Sequence, residues 1–293
     1  MNRRTFLQTA PAAALLPALG RSFAEGRAPS TGTIRLGAQT NAWAIDPNNL
    51  DSFLSVLNQI KQVGYAGFET GFFNLINDFN APQQAAGRIH SSGLEFVGIH
   101  IFLPFDKLDT QTHLPPASLY EKVARGGKSL GAKRLFFSGA PAPAEIDVKR
   151  KAEALNAAGH VAKDLGLVFA YHNHWWEFQS KVNEIETLYA ETDPSVVSFL
   201  LDAGHAYRGG ADVPAFLRRH SQRIVALHLR DYKDGKQVPL GQGTVPLAEI
   251  ASTLHSLHWS GWAINEEERE DGSKAGLDFI SPAYKALQGA FGA

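Results

Sequence analysis

The chain contains no cysteine in its 293 residues. This absence excludes disulfide bonds, thiolate metal sites and thiol nucleophiles. Any metal ion that the protein binds must therefore be held by histidine, aspartate, glutamate or water. A domain of this length can fold without disulfides in an oxidising compartment as well as in a reducing one, so the missing cysteines do not fix the location.

The chain also lacks an excess of charge of either sign. It has 28 lysines and arginines against 29 aspartates and glutamates, and its formal net charge is −1. Proteins that bind nucleic acids or anionic membranes through their overall field are usually basic. We therefore expect neither partner. The composition, 44% hydrophobic and 19% charged, is typical of a globular protein with a large core.

No apolar run reaches the roughly 20 residues of a stable transmembrane helix. The run TAPAAALLPALG (9–20) follows MNRRTFLQ, which carries two arginines, and precedes the small-x-small site Ser22-Phe23-Ala24. This order of charged, apolar and small residues is typical of an export signal, and RRTFLQ resembles the twin-arginine type. The sequence thus predicts a signal peptide at 1–24, a mature domain at 25–293 and a periplasmic location.

Eight short apolar runs alternate with amphipathic stretches after residue 32. Buried strands that alternate with helices predict βαβ units and a parallel sheet. Eight units in about 260 residues match a single (β/α)8 TIM barrel. A doubly wound sheet is the alternative, but LGAQTNAW after the first run has no glycine-rich phosphate turn. The predicted strands are 34–39, 66–70, 94–100, 132–138, 167–172, 197–202, 223–229 and 262–267.

The amphipathic stretches have helical spacing and end on glycine. In 50–64, apolar residues recur every three or four positions, and Gly64 stands where a helix C-cap is expected. The stretches 117–131 and 148–166 repeat this pattern. We therefore expect helices over these three ranges.

Titratable side chains stand at the ends of six of the eight predicted strands. The segment LVFAYHNHWWEF (167–178) shows the change most sharply, since an apolar run gives way to two histidines, two tryptophans and a glutamate. Burying such groups singly is costly, so their convergence suggests a shared purpose. In a TIM barrel the carboxyl ends of the strands form the active site. The six residues are Glu69, His100, His172, Asp202, His228 and Glu266.

Imidazoles and carboxylates without thiolates suit one divalent metal ion, namely Mn²⁺, Co²⁺, Fe²⁺, Zn²⁺ or Mg²⁺. Such an ion can polarise a carbonyl or a hydroxyl pair of a substrate. For Glu69 and His100, substrate contact and a salt bridge at the barrel rim are both open.

Six motifs, in order along the chain, resemble the xylose isomerase-like barrel superfamily of sugar phosphate isomerases and epimerases. This superfamily also contains endonuclease IV. The resemblance covers the whole mature chain. Within the superfamily, the sequence resembles the branch with the pattern YHNHxxEF. The motifs are GYAGFE (64–69), YHNHWWEF (171–178), LLDAGH (200–205), LHLRDY (227–232), GQG (241–243) and GWAINEE (261–267).

The resemblance implies a divalent metal ion held by predicted strands 5 to 8. Asp202, His228 and Glu266 match the ligands on the last three of these strands. Many relatives carry glutamate at the position of His172, so either His172 replaces that ligand or Glu177 supplies the carboxylate. We favour His172 as the ligand, and take Glu177 as base or alternative ligand.

The resemblance also implies substrate-binding residues. His205 matches a histidine that contacts substrate in epimerases, and Arg230 stands where relatives often carry lysine. A guanidinium can hold two oxygens side by side. We expect Asp231 to orient Arg230 or His228. His174 and Trp176 could bind a sugar or could be structural, since indoles both cover cores and stack on sugar rings.

The predicted activity is that of a metal-dependent isomerase or epimerase acting on a free sugar or keto-sugar. Glu177 or Glu266 would remove a proton beside the carbonyl and give an enediolate. A lyase or dehydratase acting on 3-keto-glycosides would use the same step, and a non-catalytic sugar-binding protein is the third alternative. Export disfavours phosphorylated substrates, and near-neutral charge disfavours DNA repair. A homo-oligomer is compatible with the family, but no interface can be identified.

Overall fold

The computed structural model describes residues 32–269 and 271–292. Within these ranges, no helix combines the length and the apolar character that crossing a membrane requires. The predicted signal peptide at 1–24 lies outside the described residues, so export and periplasmic location stay predictions.

Eight parallel strands close into a barrel. The prediction of a single (β/α)8 barrel is confirmed, and each predicted strand lies within two residues of an observed one at both ends. The barrel strands are β1 Ile34–Gln39, β2 Gly67–Gly71, β3 Glu95–Ile101, β4 Arg134–Phe137, β5 Val168–His172, β6 Ser198–Asp202, β7 Ile224–Leu229 and β10 Gly261–Asn265. Around the barrel, the order of the strands is β1-β10-β7-β6-β5-β4-β3-β2. A short antiparallel hairpin follows β7, and its strands are β8 Asp231–Lys233 and β9 Lys236–Val238.

Helices surround the barrel and bury their apolar faces against the strands. They are α1 Leu50–Val63, α2 Pro82–His90, α3 Ala117–Leu130, α4 Glu145–Asp164, α5 Trp176–Gln179, α6 Glu184–Glu191, α7 Ala203–Arg208, α8 Val213–His220, α9 Leu247–Ser256 and α10 Leu277–Phe291. Helix α1 ends as predicted, because Gly64 adopts φ +116°, a conformation that other residues rarely reach. Helix α4 begins at Glu145, three residues before the predicted start.

The interior of the barrel has its own apolar layer, separate from the core between strands and helices. Its members are Val97, Phe136, Ala170, Leu200, Ala226, Trp262 and Ile264. Glycines on β2 and β3 make room for the two large rings. A Cβ on Gly67 would lie 2.6 Å from Trp262, and one on Gly98 would lie 2.2 Å from Phe136. We call this set the apolar layer.

Candidate metal and substrate site

The residues predicted at the strand ends lie two positions beyond members of the apolar layer. His172 follows Ala170, Asp202 follows Leu200, His228 follows Ala226 and Glu266 follows Ile264. Side chains two apart on a strand point to the same face, so these residues also face the barrel interior. Glu69 and His100 stand in the same relation to Gly67 and Gly98. We call these six residues the polar layer.

Four members of the polar layer form a group suited to a metal ion. Their donor atoms lie within 4.8 Å of one another, and all four side chains are buried. Nε2 of His172 lies 3.5 Å from Oδ2 of Asp202 and 3.9 Å from Oε2 of Glu266, and Nδ1 of His228 lies 2.6 Å from the same glutamate oxygen. The group consists of His172, Asp202, His228 and Glu266.

These donors fit a divalent ion. Metal bonds of about 2.0–2.2 Å place two ligands of one ion about 3–3.6 Å apart, close to the spacing of His172 and Asp202. Both ring nitrogens of His172 are buried without a hydrogen bond, which is rare for an imidazole in a core. Burial also lowers the pKa of His172 well below its ordinary value, so the ring is neutral, as a metal ligand must be. The coarser prediction, a buried His/Asp/Glu group able to bind a metal, is confirmed.

Arg230 forms ion pairs with the two carboxylates of this group. Its Nε lies 2.8 Å from Oδ2 of Asp202, and its Nη2 contacts Oε2 of Glu266. Burial alone would raise the pKa of Glu266, but Arg230 and His228 more than offset this and hold that pKa well below its usual range. The Glu266 carboxylate is therefore available as an anionic ligand.

Glu69 and His100 form a chain of hydrogen bonds behind the metal group. The Glu69 carboxylate lies 2.9 Å from Nδ1 of His100 and 2.7 Å from Nε2 of His228. Burial acts to lower the pKa of His228, but Glu266 and Glu69 raise it to about 10, so an ion that binds this ring must displace a proton from it. Glu69 thus forms a buried ion pair with His228, and its contact with a substrate stays a prediction. His100 lines the cavity at the barrel mouth, where it is able to reach a substrate.

His205 faces the cavity from the first turn of α7. Its backbone N–H donates to Oδ1 of Asp202 at 2.7 Å, and its Nδ1 lies 3.2 Å from the Tyr232 hydroxyl. Asn173 fixes the neighbouring strand ends, since its side chain accepts from the backbone N–H of Asp202 and donates to the Asp202 carbonyl. Asp202 thus positions His205 while its second oxygen stays with the metal group.

His174 and Trp176 lie at the cavity wall, and their rings stack at 4.1 Å with an angle of 8°. Glu177 lies behind this wall, outside the cavity lining. Its carboxylate accepts hydrogen bonds from the Tyr171 hydroxyl at 2.7 Å and the backbone N–H of His174 at 2.9 Å. Burial raises the pKa of Glu177 to about 7, and the nearby Lys151 opposes this rise. The structure brings Glu266 to the cavity but not Glu177, so the role of Glu177 as base or ligand stays a prediction.

Asp231 does not orient Arg230 or His228, and this expectation was wrong. Its carboxylate accepts backbone N–H groups of the GQG loop and of β8, at Tyr232, Gly241, Gly243 and Val245. A Cβ on Gly243 would lie 2.1 Å from Oδ1 of Asp231, which explains the second glycine of the motif. Arg230 and His228 were expected as partners because they are close to Asp231 in the sequence. The loop at 241–243 folds back onto Asp231 instead.

A cavity of about 820 Å³ opens above the polar layer. Residues that the sequence predictions missed contribute to it. Asn41, just after β1, donates to Oε1 of Glu266 at 3.2 Å, and Tyr232 contacts His205. A polar residue just after the first strand was the available signal for Asn41. Three further missed lining residues are Phe73, Phe102 and Phe105.

The fold and this site define a (β/α)8 barrel with a candidate metal site at the carboxyl ends of its strands. The family model described as xylose isomerase-like TIM barrel matches residues 57–283. The chain belongs to this family. The predicted resemblance is therefore confirmed.

Among curated relatives, an inosose dehydratase of Geobacillus kaustophilus is 24% identical over 280 residues, covering 80% of this chain and 88% of that enzyme. An inosose dehydratase of Bacillus anthracis is 26% identical over 172 residues, but that match spans only 58% of the relative's length.

Two solved structures show the same fold. The 3-keto-D-glucoside 4-epimerase YcjR from E. coli has a TM-score of 0.69 at 16% identity, with 88% of this chain and 100% of that chain covered. The IOLI protein with a bound zinc atom has a TM-score of 0.71 at 15% identity, with the same coverage. These chains are similar to this protein in architecture.

Proposed function

We propose that the protein is a metal-dependent lyase or dehydratase that acts on a keto-sugar or a cyclic keto-polyol. The reaction would break a C–H bond beside the ketone and the C–O bond on the next carbon, form a C=C bond and release water or an alcohol. The single observation that carries the proposal is the convergence of His172, Asp202, His228 and Glu266 beneath a large cavity.

These four residues would hold the ion. A divalent ion bound there would polarise the ketone and lower the cost of removing the neighbouring proton. Arg230 holds Oε2 of Glu266, while Asn41 donates to Oε1. The carboxylate is thereby fixed at the cavity, and we assign it as the acceptor of the proton.

The leaving oxygen would lie beside two imidazoles of the cavity lining. His174 and His205 line the cavity, and burial lowers the pKa of each well below its ordinary value. Neutral imidazoles can donate a hydrogen bond to a developing oxyanion without carrying a charge. Both residues thus suit a leaving hydroxyl or glycosidic oxygen.

Elimination fits the cavity better than epimerisation by two carboxylates. Epimerisation needs a proton acceptor and a proton donor on opposite faces of one carbon, and the predicted second carboxylate, Glu177, lies behind the wall. Among the described residues, the other carboxylate of the lining is Glu268, which is 48% exposed at the rim. The similarity to inosose dehydratases supports the same outcome. Epimerisation, the first prediction from the sequence, stays the second candidate, supported by the fold of YcjR.

Incubation of the metal-loaded protein with inosose and with methyl 3-keto-glucoside in D₂O tests the proposal. We expect release of water from the polyol or methanol from the glycoside, together with ultraviolet absorbance of an enone. Deuterium incorporation with a changed configuration and no release would show an epimerase instead. No exchange and no release with any of the five candidate ions would favour the non-catalytic sugar-binding alternative.

A further inference from the structure

We propose that the outer half of the cavity is a subsite for an aromatic aglycone, so that the substrates are aryl glycosides of keto-sugars. This inference rests on the proposed function, and it adds the chemical class of the leaving group.

Exposed phenyl rings are concentrated at the cavity mouth. Phe73, Phe102 and Phe105 are each 51–54% exposed, and all three line the cavity. The other large exposed hydrophobic residues in the described part of the chain, Ile146, Val168 and Leu277, lie outside the lining. Single exposed apolar residues are ordinary, whereas a cluster at a cavity indicates a binding surface.

Four rings continue from this mouth to the polar layer. Phe105 packs edge-on against Trp176 at 5.4 Å, Trp176 stacks on His174, and Phe102 lies 6.0 Å from His174. We call these four residues the aromatic wall. His174, one of the two histidines proposed to meet the leaving oxygen, stands at its inner end, so a group attached to an oxygen held by His174 would lie along the wall.

The facing side of the cavity is charged. Glu268, Arg269 and Lys274 follow β10, which stands across the barrel from β4, whereas the aromatic wall follows β3 and β5 on either side of β4. A ligand with one polar ring and one apolar ring matches this division. The volume of about 820 Å³ also exceeds the needs of one ring, since cavities of about 300–1,000 Å³ hold drug-sized ligands.

The aromatic wall favours an aryl ring over a second sugar. Phe102 and Phe105 have no hydrogen-bonding group, and Nε1 of Trp176 is buried, so it cannot reach a ligand. Hydroxyl groups placed against Phe102, Phe105 or Trp176, away from His174, would lose water without gaining partners. A phenyl ring has none to lose, and aromatic rings pair well both edge-to-face and stacked.

Binding of glucosides that lack the ketone tests the subsite apart from catalysis. Phenyl β-glucoside, methyl β-glucoside and cellobiose would be titrated into the full chain by calorimetry. We expect phenyl glucoside to bind at least about tenfold more tightly than either of the others, which corresponds to about 1.4 kcal/mol. The double variant Phe102→Ala/Phe105→Ala should lose this preference. Ile146→Ala, which removes an equally exposed residue outside the cavity, should keep it.

Equal affinity of the wild type for the phenyl and methyl glucosides would overturn the subsite, and so would tighter binding of cellobiose. Sedimentation of the wild type and the double variant provides a second check. If the wild type is a dimer and the double variant a monomer, the phenyl rings form an interface between copies, and the proposal fails. Because these glucosides cannot react, none of these results depends on the proposed elimination.

Discussion

Two layers of side chains fill the same barrel, and they differ completely in chemistry. In the apolar layer, Phe136 and Trp262 occupy the space that glycines leave open. Two residues further along the strands, towards the barrel mouth, the polar layer buries three histidines and three acids. Both layers stand on strands, so the difference lies in their side chains: the apolar layer is suited to stabilising the barrel, and the polar layer has the donor groups of a candidate metal site.

Burial has opposite effects on the free energy of folding in the two layers. Burial of apolar surface contributes about 25 cal/mol per Å² to folding. Burial of ionised groups costs free energy unless they are paired, and the polar layer compensates part of that cost through Arg230. The imidazole of His172 makes no hydrogen bond. Substitutions in the two layers should therefore separate loss of stability from loss of function.

The largest expected effect lies in the polar layer. Glu266→Gln removes the proposed proton acceptor and one metal-binding oxygen, and we expect a fall in turnover of about 10²–10⁴-fold. Release of the leaving group measures this. Glu268→Gln at the rim is the matched control and should retain most of the activity. Equal losses in the two variants would contradict the assignment of Glu266.

The apolar layer should show its largest effect in stability. Trp262→Ala opens a cavity beside Gly67 and should lower the free energy of unfolding by about 3–5 kcal/mol. Urea denaturation measures the change. Trp176→Ala, the same substitution at the cavity wall, should cost about 1 kcal/mol, because this side chain is only partly buried. Similar costs for both tryptophans would remove the distinction between the layers.

His172→Ala sharpens the distinction within the polar layer. The side chain makes no hydrogen bond, so the free energy of unfolding without metal should change by less than about 1 kcal/mol. Substitution of a residue that only hydrogen-bonds to a metal ligand typically lowers metal affinity about 10–100-fold. Loss of the ligand His172 should lower it further. Calorimetric titration with Mn²⁺ or Zn²⁺ measures the affinity. His174→Ala, two residues away, should change it only a few-fold, and the opposite ranking would place the site elsewhere.

The smallest effect concerns Glu177, between the wall and the core. Its pKa of about 7 exceeds the ordinary 4.5, so the folded protein binds this proton more tightly than the unfolded chain does. Its contribution to stability is complete below about pH 4.5 and is lost as the pH rises through 7. Glu177→Gln should flatten the dependence of the unfolding free energy on pH in this window. Glu121→Gln, on the surface of α3, should leave the slope unchanged, and an unaltered slope in Glu177→Gln would contradict the assignment.

The sequence was sufficient to predict the parts of the molecule that follow strand periodicity. A polar residue that closes an apolar strand must share a face with the residue two positions earlier, so His172, Asp202 and His228 could be placed together without coordinates. The barrel followed from counting such strands.

Contacts that depend on loop conformation could not be predicted. Asp231 binds a loop ten residues further on, and Glu177 turns back to Tyr171 through the short helix α5. Phe102 and Phe105 carry no polar signal, so their role at the cavity mouth emerges only when β3 and β5 are brought together. Loops lack the fixed side-chain period that makes strands predictable.

Metal content shows whether His172, Asp202, His228 and Glu266 hold an ion. The purified full chain would be exposed to Mn²⁺, Co²⁺, Fe²⁺, Zn²⁺ or Mg²⁺, dialysed and analysed for its elements, beside an Asp202→Ala/His228→Ala variant checked for folding by circular dichroism. We expect about one divalent ion per wild-type chain and none in the variant. A wild type that stays free of metal with every ion, or a variant that binds as much as the wild type, would contradict this expectation.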